Sequence, residues 1–229
     1  MFLVRTRFDS GSQGATMEES KQIAVELVFA IAHEIGNHLG GIRLQAHLID
    51  EELDARSLAE ASIVIDEMAS RSGLLLTLLR PLLSDDWRAS GGETWASLLG
   101  RVQRHLEDEG TRGVRLEFGP VADDGLEAPD LEWLHSLLVA LVGVTMTNVG
   151  ARGTVHLALE TRGNQRALVV EDDGEEEDLS PDAAHRGRPL AVAIARELIG
   201  RTGGQVNVQR TSDGASKRTR IELIFGGAR

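Results

Sequence analysis

The sequence predicts an α + α/β protein: an N-terminal two-helix hairpin that pairs with a second copy into a four-helix bundle, then a C-terminal α/β sandwich. Three patterns carry this expectation. A proline-free stretch from about Met17 to Leu53 repeats apolar residues at helical steps, and a second helical run follows after a short polar break. From about Glu93 onward, helical and strand-like patterns interleave.

In the first run, Leu27, Ile31, Ile35, Leu39, Ile42 and Ile49 recur at three-, four- and seven-residue steps, the signature of an amphipathic helix. The break "DEELDARS" leads to Leu58, Ile63, Ile65, Met68, Leu74, Leu75, Leu78 and Leu82, reaching Pro81 and the polar "SDDWRASGGE". A lone hairpin buries one side of each helix, so a second copy is the natural cover for the rest. The sandwich then reads as helix ("ETWASLLGRVQRHLEDEG"), strand ("VRLEFGP"), an apolar helix ("APDLEWLHSLLVALVGVTMTNV") and two strands around an "RGN" turn. A helix "RPLAVAIARELIGRTGG", with proline near its start and glycines past its end, precedes two closing strands. The resulting division is an N-terminal extension over 1–16, a hairpin over 17–88 and an α/β domain over 89–229. Translation from either Met1 or Met17 fits this division.

Composition narrows the function. The 229 residues include 41% hydrophobic side chains, enough for a core, and no cysteine, which removes disulfides and thiol catalysis. A formal net charge of -12 with no basic patch argues against nucleic acid as a partner. No apolar run approaches the roughly 20 residues that span a bilayer, so no membrane segment is expected and a cytoplasmic location is.

The stretch "AHEIGNHLGGI" holds the chemistry of the first half. His33 and His38 are five residues apart, roughly 140° around a helix, so they do not form the four-residue pair of a zinc-protease helix, and no metal site is expected. Ile31 and Ile35 each lie roughly 160° from His33, which turns its imidazole away from the apolar stripe and into solvent. Asn37 and Gly40 fall on nearly the same side, a small polar surface open to another protein.

With these residues in view, the segment resembles the phosphoacceptor box of two-component histidine kinases, H-E-[IL]-R-N-P-L. His33, Glu34, Ile35, Asn37 and Leu39 match it; Gly36 stands for arginine and His38 for proline. The order of hairpin and α/β domain matches as well, so the C-terminal half resembles the Bergerat-type ATP-binding domain of those kinases. The resemblance implies that His33 is the phosphoacceptor, that Glu34 orients its ring or takes its proton, and that Asn37 assists phosphate chemistry. A free imidazole, with a pKa of about 6.5, keeps an unprotonated nitrogen for phosphoryl attack at neutral pH. Gly40, Gly41, Arg43 and Gln45 are the expected docking surface.

The same resemblance makes three demands on the second half, and the sequence meets none in full. Gly143 and Thr147 stand where asparagines hold magnesium, and Asn148, one position late, is expected to point elsewhere. In "VVEDDGEEED", Asp172 and Gly174 match the adenine-reading box, but Glu176 replaces its second glycine. The carboxylates from Glu175 to Asp178 would repel a triphosphate by roughly 3 kcal/mol per pair at 5 Å. Asp172 either keeps a hydrogen-bonding role in the domain or begins a solvated acidic loop, and its acidic neighbours favour the loop. In "HRGRPLAVAIAREL", Gly187 survives while Pro189 and Ala191 occupy the other positions of the phosphate-binding glycine loop.

The expectation is therefore a fold kept without its phosphate and metal chemistry, similar to the dimeric histidine phosphotransferases of phosphorelays. His33 would take a phosphoryl group from one receiver-domain aspartate and pass it to another. Magnesium would come from the receiver, with no cofactor of the chain's own. Two alternatives stay open: a divergent kinase that uses ATP through Asp172, and a non-catalytic dimeric adaptor that binds a response regulator.

Overall fold

A computed structural model describes residues 17–49, 54–83, 94–109, 113–121, 132–150, 152–174, 179, 187–213 and 216–226. The extension over 1–16, the division near 88, and Glu176 with its acidic neighbours lie outside the described residues. Helix α1 (Met17–Ile49) and helix α2 (Ala55–Leu83) form the hairpin. Asp54 starts α2 by accepting the Ser57 amide at 2.8 Å, the usual role of a short acidic residue at a helix N-terminus. That hydrogen bond holds its carboxyl below the ordinary carboxylate range.

Helix α1 crosses α2 closely because Gly41 has no side chain. A Cβ there would lie 2.5 Å from the Met68 sulfur. Gly41 therefore faces the second helix, and Gln45 is half-buried as well; of the expected docking residues, Gly40 and Arg43 are exposed. Packing of the hairpin claims part of the surface that helical angles alone had given to a partner.

The α/β half follows with helix α3 (Trp95–Glu109), strand β1 (Arg115–Phe118), helix α4 (Glu132–Val149), strands β2 (Thr154–Arg162) and β3 (Gln165–Asp172), helix α5 (Gly187–Arg201), and strands β4 (Gln205–Asp213) and β5 (Ser216–Phe225). The strands form one sheet in the order β1-β2-β3-β5-β4. Only β1 and β2 run parallel, with α4 as their crossover; the other pairs are antiparallel. Arg162 pairs with Gln165 across a two-residue turn in which Gly163 has φ +61°. That conformation suits glycine and closes a tight hairpin.

Helix α4 packs on β2 and β3, and α5 on β4 and β5, so both lie on the same face of the sheet. Leu134, Leu137, Leu138, Leu141 and Val142 of α4 are all fully buried, as expected for a helix that is apolar nearly all round. The other face carries a charge ladder. Arg162 and Arg220 both donate to Glu222, and Arg220 reaches Glu160 and Glu171 besides. Burial alone would raise the Glu222 carboxyl, but the two arginines hold it below its ordinary range.

The hairpin is docked on the sandwich. α1 lies against α5 and α2 against α4. Leu27, Ile31, Leu78 and Leu82 join the same buried cluster as Leu138, Leu190 and Phe225, so the core is continuous across both halves. Arg201 donates to the carbonyls of Pro81 at 2.9 Å and Leu82 at 3.1 Å, and Ser20 donates to Glu197 at 2.7 Å. Leu78 is fully buried where these layers meet. Leu78→Ala should therefore lower unfolding stability by about 2–5 kcal/mol in urea denaturation, the range for an uncollapsed leucine cavity. A loss under ~1 kcal/mol would mean that the two halves do not share one core.

Candidate functional site

His33 is exposed on α1, as the two isoleucines require: Ile31 is fully buried and Ile35 is half-buried. Glu34 follows it around the helix and points toward the sandwich. Its Oε1 accepts the Gly187 amide at 3.3 Å, and its Oε2 accepts from Asn37 Nδ2 at 3.4 Å. The structure thus brings Glu34 and Asn37 together, with Glu34 engaged by the α/β half rather than by the neighbouring imidazole.

His38 turns the other way from His33, into the joint between the helices. Its Nδ1 lies 3.1 Å from Ser72 Oγ. That hydroxyl also reaches the Met68 carbonyl at 2.8 Å, so Ser72 bridges the imidazole to the backbone of α2. Nε2 faces Glu34 Oε1 at 3.8 Å. Burial lowers the His38 pKa, Glu34 opposes this, and Arg71 adds to it. The kinase-like box has a proline at this position; here a histidine ties the two helices together instead.

Behind the hairpin lies a cavity of about 320 Å³, lined from α1 and α2 by Glu34, His38, Asp66, Glu67 and Arg71, and from the sandwich by Gly143, Thr147, Asn148, Gly187, Arg188 and Ala191. The positions that the resemblance assigns to magnesium and phosphate, Gly143, Thr147, Gly187 and Ala191, do converge on this one cavity. Pro189 and Ala191 are buried in the first turns of α5. Asn148 corrects its expectation. It lines the cavity near the end of α4, and a Cβ on Gly174 would lie 2.7 Å from its Oδ1. Its side-chain oxygen lies beside Gly174, between the end of α4 and the residues after β3.

Asp172 corrects a second expectation. It is no solvated loop residue: it ends β3 facing inward, with Oδ2 bonded to Arg188 Nη1 at 2.8 Å and Oδ1 to the Gly174 amide at 2.9 Å. The two charged side chains are 1% and 0% exposed. Burial pushes the Asp172 carboxyl above its ordinary range, while the Arg188 charge and the Gly174 amide pull it back. Removing one member of such a pair typically costs about 3–5 kcal/mol, because it strands a buried charge.

These residues do not fit a magnesium nucleotide as they stand. Asp172, the group that would read adenine, is engaged by Arg188. The Thr147 hydroxyl accepts from Arg71 Nη2 at 2.7 Å, which places a cation where the resemblance calls for a metal ligand. The Gly187 amide at the head of α5 is directed to the Glu34 carboxylate rather than left open for phosphate.

His38 has a consequence for stability. Its folded pKa lies below the unfolded value near 6.5, so the unfolded chain binds the proton more readily. The stability linked to His38 is present above that unfolded value and is lost as pH falls through the lowered folded one. The fall in thermal midpoint between pH 7 and pH 5 should be smaller in His38→Gln than in the parent chain. Equal falls in the two proteins would remove His38 as the titrating group.

No family model matches the chain. Among curated proteins it is similar to the sensor histidine kinase RegB of Cereibacter sphaeroides, with 27% identity over 218 residues, covering 82% of this chain and 45% of RegB. It is also 29% identical over 215 residues to the sensory histidine kinase/phosphatase NtrB of Escherichia coli O157:H7, covering 83% of this chain and 60% of NtrB. The chain thus spans about half the length of the curated relatives it matches. Among solved structures, the Acinetobacter baumannii histidine kinase AdeS superposes with a TM-score of 0.56 at 14% identity, over 83% of this chain and 96% of AdeS. The histidine kinase ThkA, solved in complex with the response regulator TrrA, superposes with a TM-score of 0.57 at 16% identity, over 90% of this chain and 63% of the other. At such identities the structures speak to fold alone. The chain is thus similar in sequence to histidine kinases over about four-fifths of its length and shares the fold of solved ones, a helical hairpin joined to an α/β domain.

Proposed function

We propose that this chain works in two-component signalling as a homodimer, with His33 exchanging a phosphoryl group with the aspartate of a response-regulator receiver domain in the cytoplasm. The observation that carries the reading is the contrast between the exposed imidazole of His33 and the engaged carboxylate of Asp172. The nucleophile is open to a partner, while the residue needed for nucleotide is paired within the chain. Phosphorus–nitrogen bond formation at His33 would accompany cleavage of the receiver's acyl phosphate, with the carboxylate leaving and the receiver's own magnesium balancing charge. Glu34 and Asn37 would order the polar surface beside His33, and Gly40 and Arg43 would meet the receiver. The chain itself would need neither ATP nor a resident metal. That ThkA was solved with a response regulator supports a receiver as the kind of partner.

A second reading has its own support. RegB and NtrB are both named histidine kinases, and this fits an ATP-using kinase better than a stand-alone phosphotransferase. The kinase reading requires Arg188 to leave Asp172 and Glu34 to leave Gly187. An adaptor that only sequesters a regulator has no particular observation behind it, and it predicts that His33 is dispensable.

Incubation with a phosphorylated receiver domain separates these readings. Acid-labile, base-stable phosphate should appear on His33, and His33→Ala should abolish it while leaving helicity and dimer mass unchanged. Micromolar, magnesium-dependent ATP binding with labelling of His33 would instead establish the kinase, and intact regulator control by His33→Ala would establish the adaptor.

Dimerisation has a separate test. Phe29 is 71% exposed on α1, with Val25 and Leu39 also open, and Ile63, Leu76 and Leu83 are open on α2. A second hairpin would cover these side chains. Phe29→Glu should weaken the dimer by about 100-fold or more in light scattering or sedimentation, since it would bury a carboxylate. An unchanged dimer would place the interface elsewhere.

A further inference from the structure

Three contacts border the cavity between hairpin and sandwich: Arg71 with Thr147 and Glu34 with Gly187 line it directly, and Arg188 lines it while covering Asp172 behind. Arg188 presents guanidinium N–H groups to Asp172, as an amino-substituted base would present an N–H. Arg71 brings positive charge to Thr147, as a metal ion would. Glu34 brings negative charge to the amide that opens α5, as a phosphate would. Two of the three, Arg71 and Glu34, come from the hairpin, so these contacts also tie the hairpin to the sandwich.

We propose that the chain is its own ligand at this site: Arg188 plugs a latent pocket for an amino-purine or guanidine-type group on Asp172, while Arg71 and Glu34 complete the occupancy from the hairpin. The inference rests on the reading that this site does not use ATP. Its chemistry is that of a donor facing a buried acceptor. Trimming Arg188 to its Cβ removes the guanidinium and leaves a hole beside Asp172, whose carboxylate then lacks its counter-ion. A small planar molecule with paired N–H donors restores both volume and hydrogen bonds. Ethylguanidinium supplies that paired donor edge with its charge, and adenine supplies a single neutral N6–H donor beside a ring-nitrogen acceptor.

Arg188→Ala makes the test, in the full chain, by calorimetry and thermal shift with adenine, ethylguanidinium chloride at ~10 mM and, as a separate arm, magnesium–ATP. The wild-type chain should be indifferent to all three beyond the effect of equal sodium chloride. The variant should lose thermal stability and recover it with ethylguanidinium, and should bind adenine at least about tenfold more tightly than wild type. Arg188→Met, which keeps most of the volume, should stay indifferent to adenine, so that uptake depends on the vacated space and not on loss of charge alone.

If Arg188→Ala does not fold, the pair Asp172→Asn with Arg188→Ala carries the test, since it strands no buried charge. That double variant should take up adenine and ignore ethylguanidinium. Folded variants that take up neither molecule overturn the plug and leave the phosphotransfer reading standing. Wild-type binding of magnesium–ATP overturns both together.

Discussion

A guanidinium and a carboxylate buried together at the end of β3 set the terms for the rest of this molecule. Arginine cannot shed its proton, so Arg188, at 1% exposure, must keep a counter-ion, and Asp172 is placed to be it. The pair joins the last residue of β3 to the first turn of α5. With that turn held, Gly187 keeps its left-handed backbone, φ +56°, and its amide meets Glu34 on the hairpin. Sheet, helix α5 and hairpin are linked through one buried charge. Asp172 holds this arrangement through Arg188 and the Gly174 amide together.

The second constraint is the continuous core. Because Leu27, Ile31, Leu78 and Leu82 pack into the same cluster as the sandwich, the hairpin does not swing freely in this arrangement. Arg201 and Ser20 add polar contacts at the far end of the joint. His33 nonetheless stays exposed, since the face of α1 that carries it lies away from the buried stripe. The relatives RegB and NtrB are named as kinases, and this packing is that of the chain by itself.

Much of this was readable from the residues alone. Helical spacing of Leu27, Ile31 and Ile35 gave both the hairpin and the exposure of His33, since a helix turns about 100° per residue wherever it occurs. Alternation in "TVHLALETR" and the near-continuous "ALVV" marked β2 and the central β3, and the "RGN" turn marked their hairpin. Gly143, Thr147, Gly187 and Ala191 proved to share one cavity. Local rules missed Asn148, which lines the cavity after all, and Gly41, where Met68 of the second helix takes the surface. They failed most at Asp172, whose run of acidic neighbours resembles a solvated loop. The one available signal was an arginine at the first turn of the strongly apolar "RPLAVAIA", a position in which a charge needs a partner.

By itself, then, the sequence determined the order of elements, the polarity of their faces and the exposure of His33, because each of these depends on neighbours within a few turns of chain. The tertiary structure decided which distant residues meet. Arg188 and Asp172 are 16 residues apart, Arg71 and Thr147 are 76 apart, and Glu34 and Gly187 are 153 apart. No periodicity links positions at such separations: packing of α5 on the sheet brings the first pair together, and docking of the hairpin on the sandwich brings the other two.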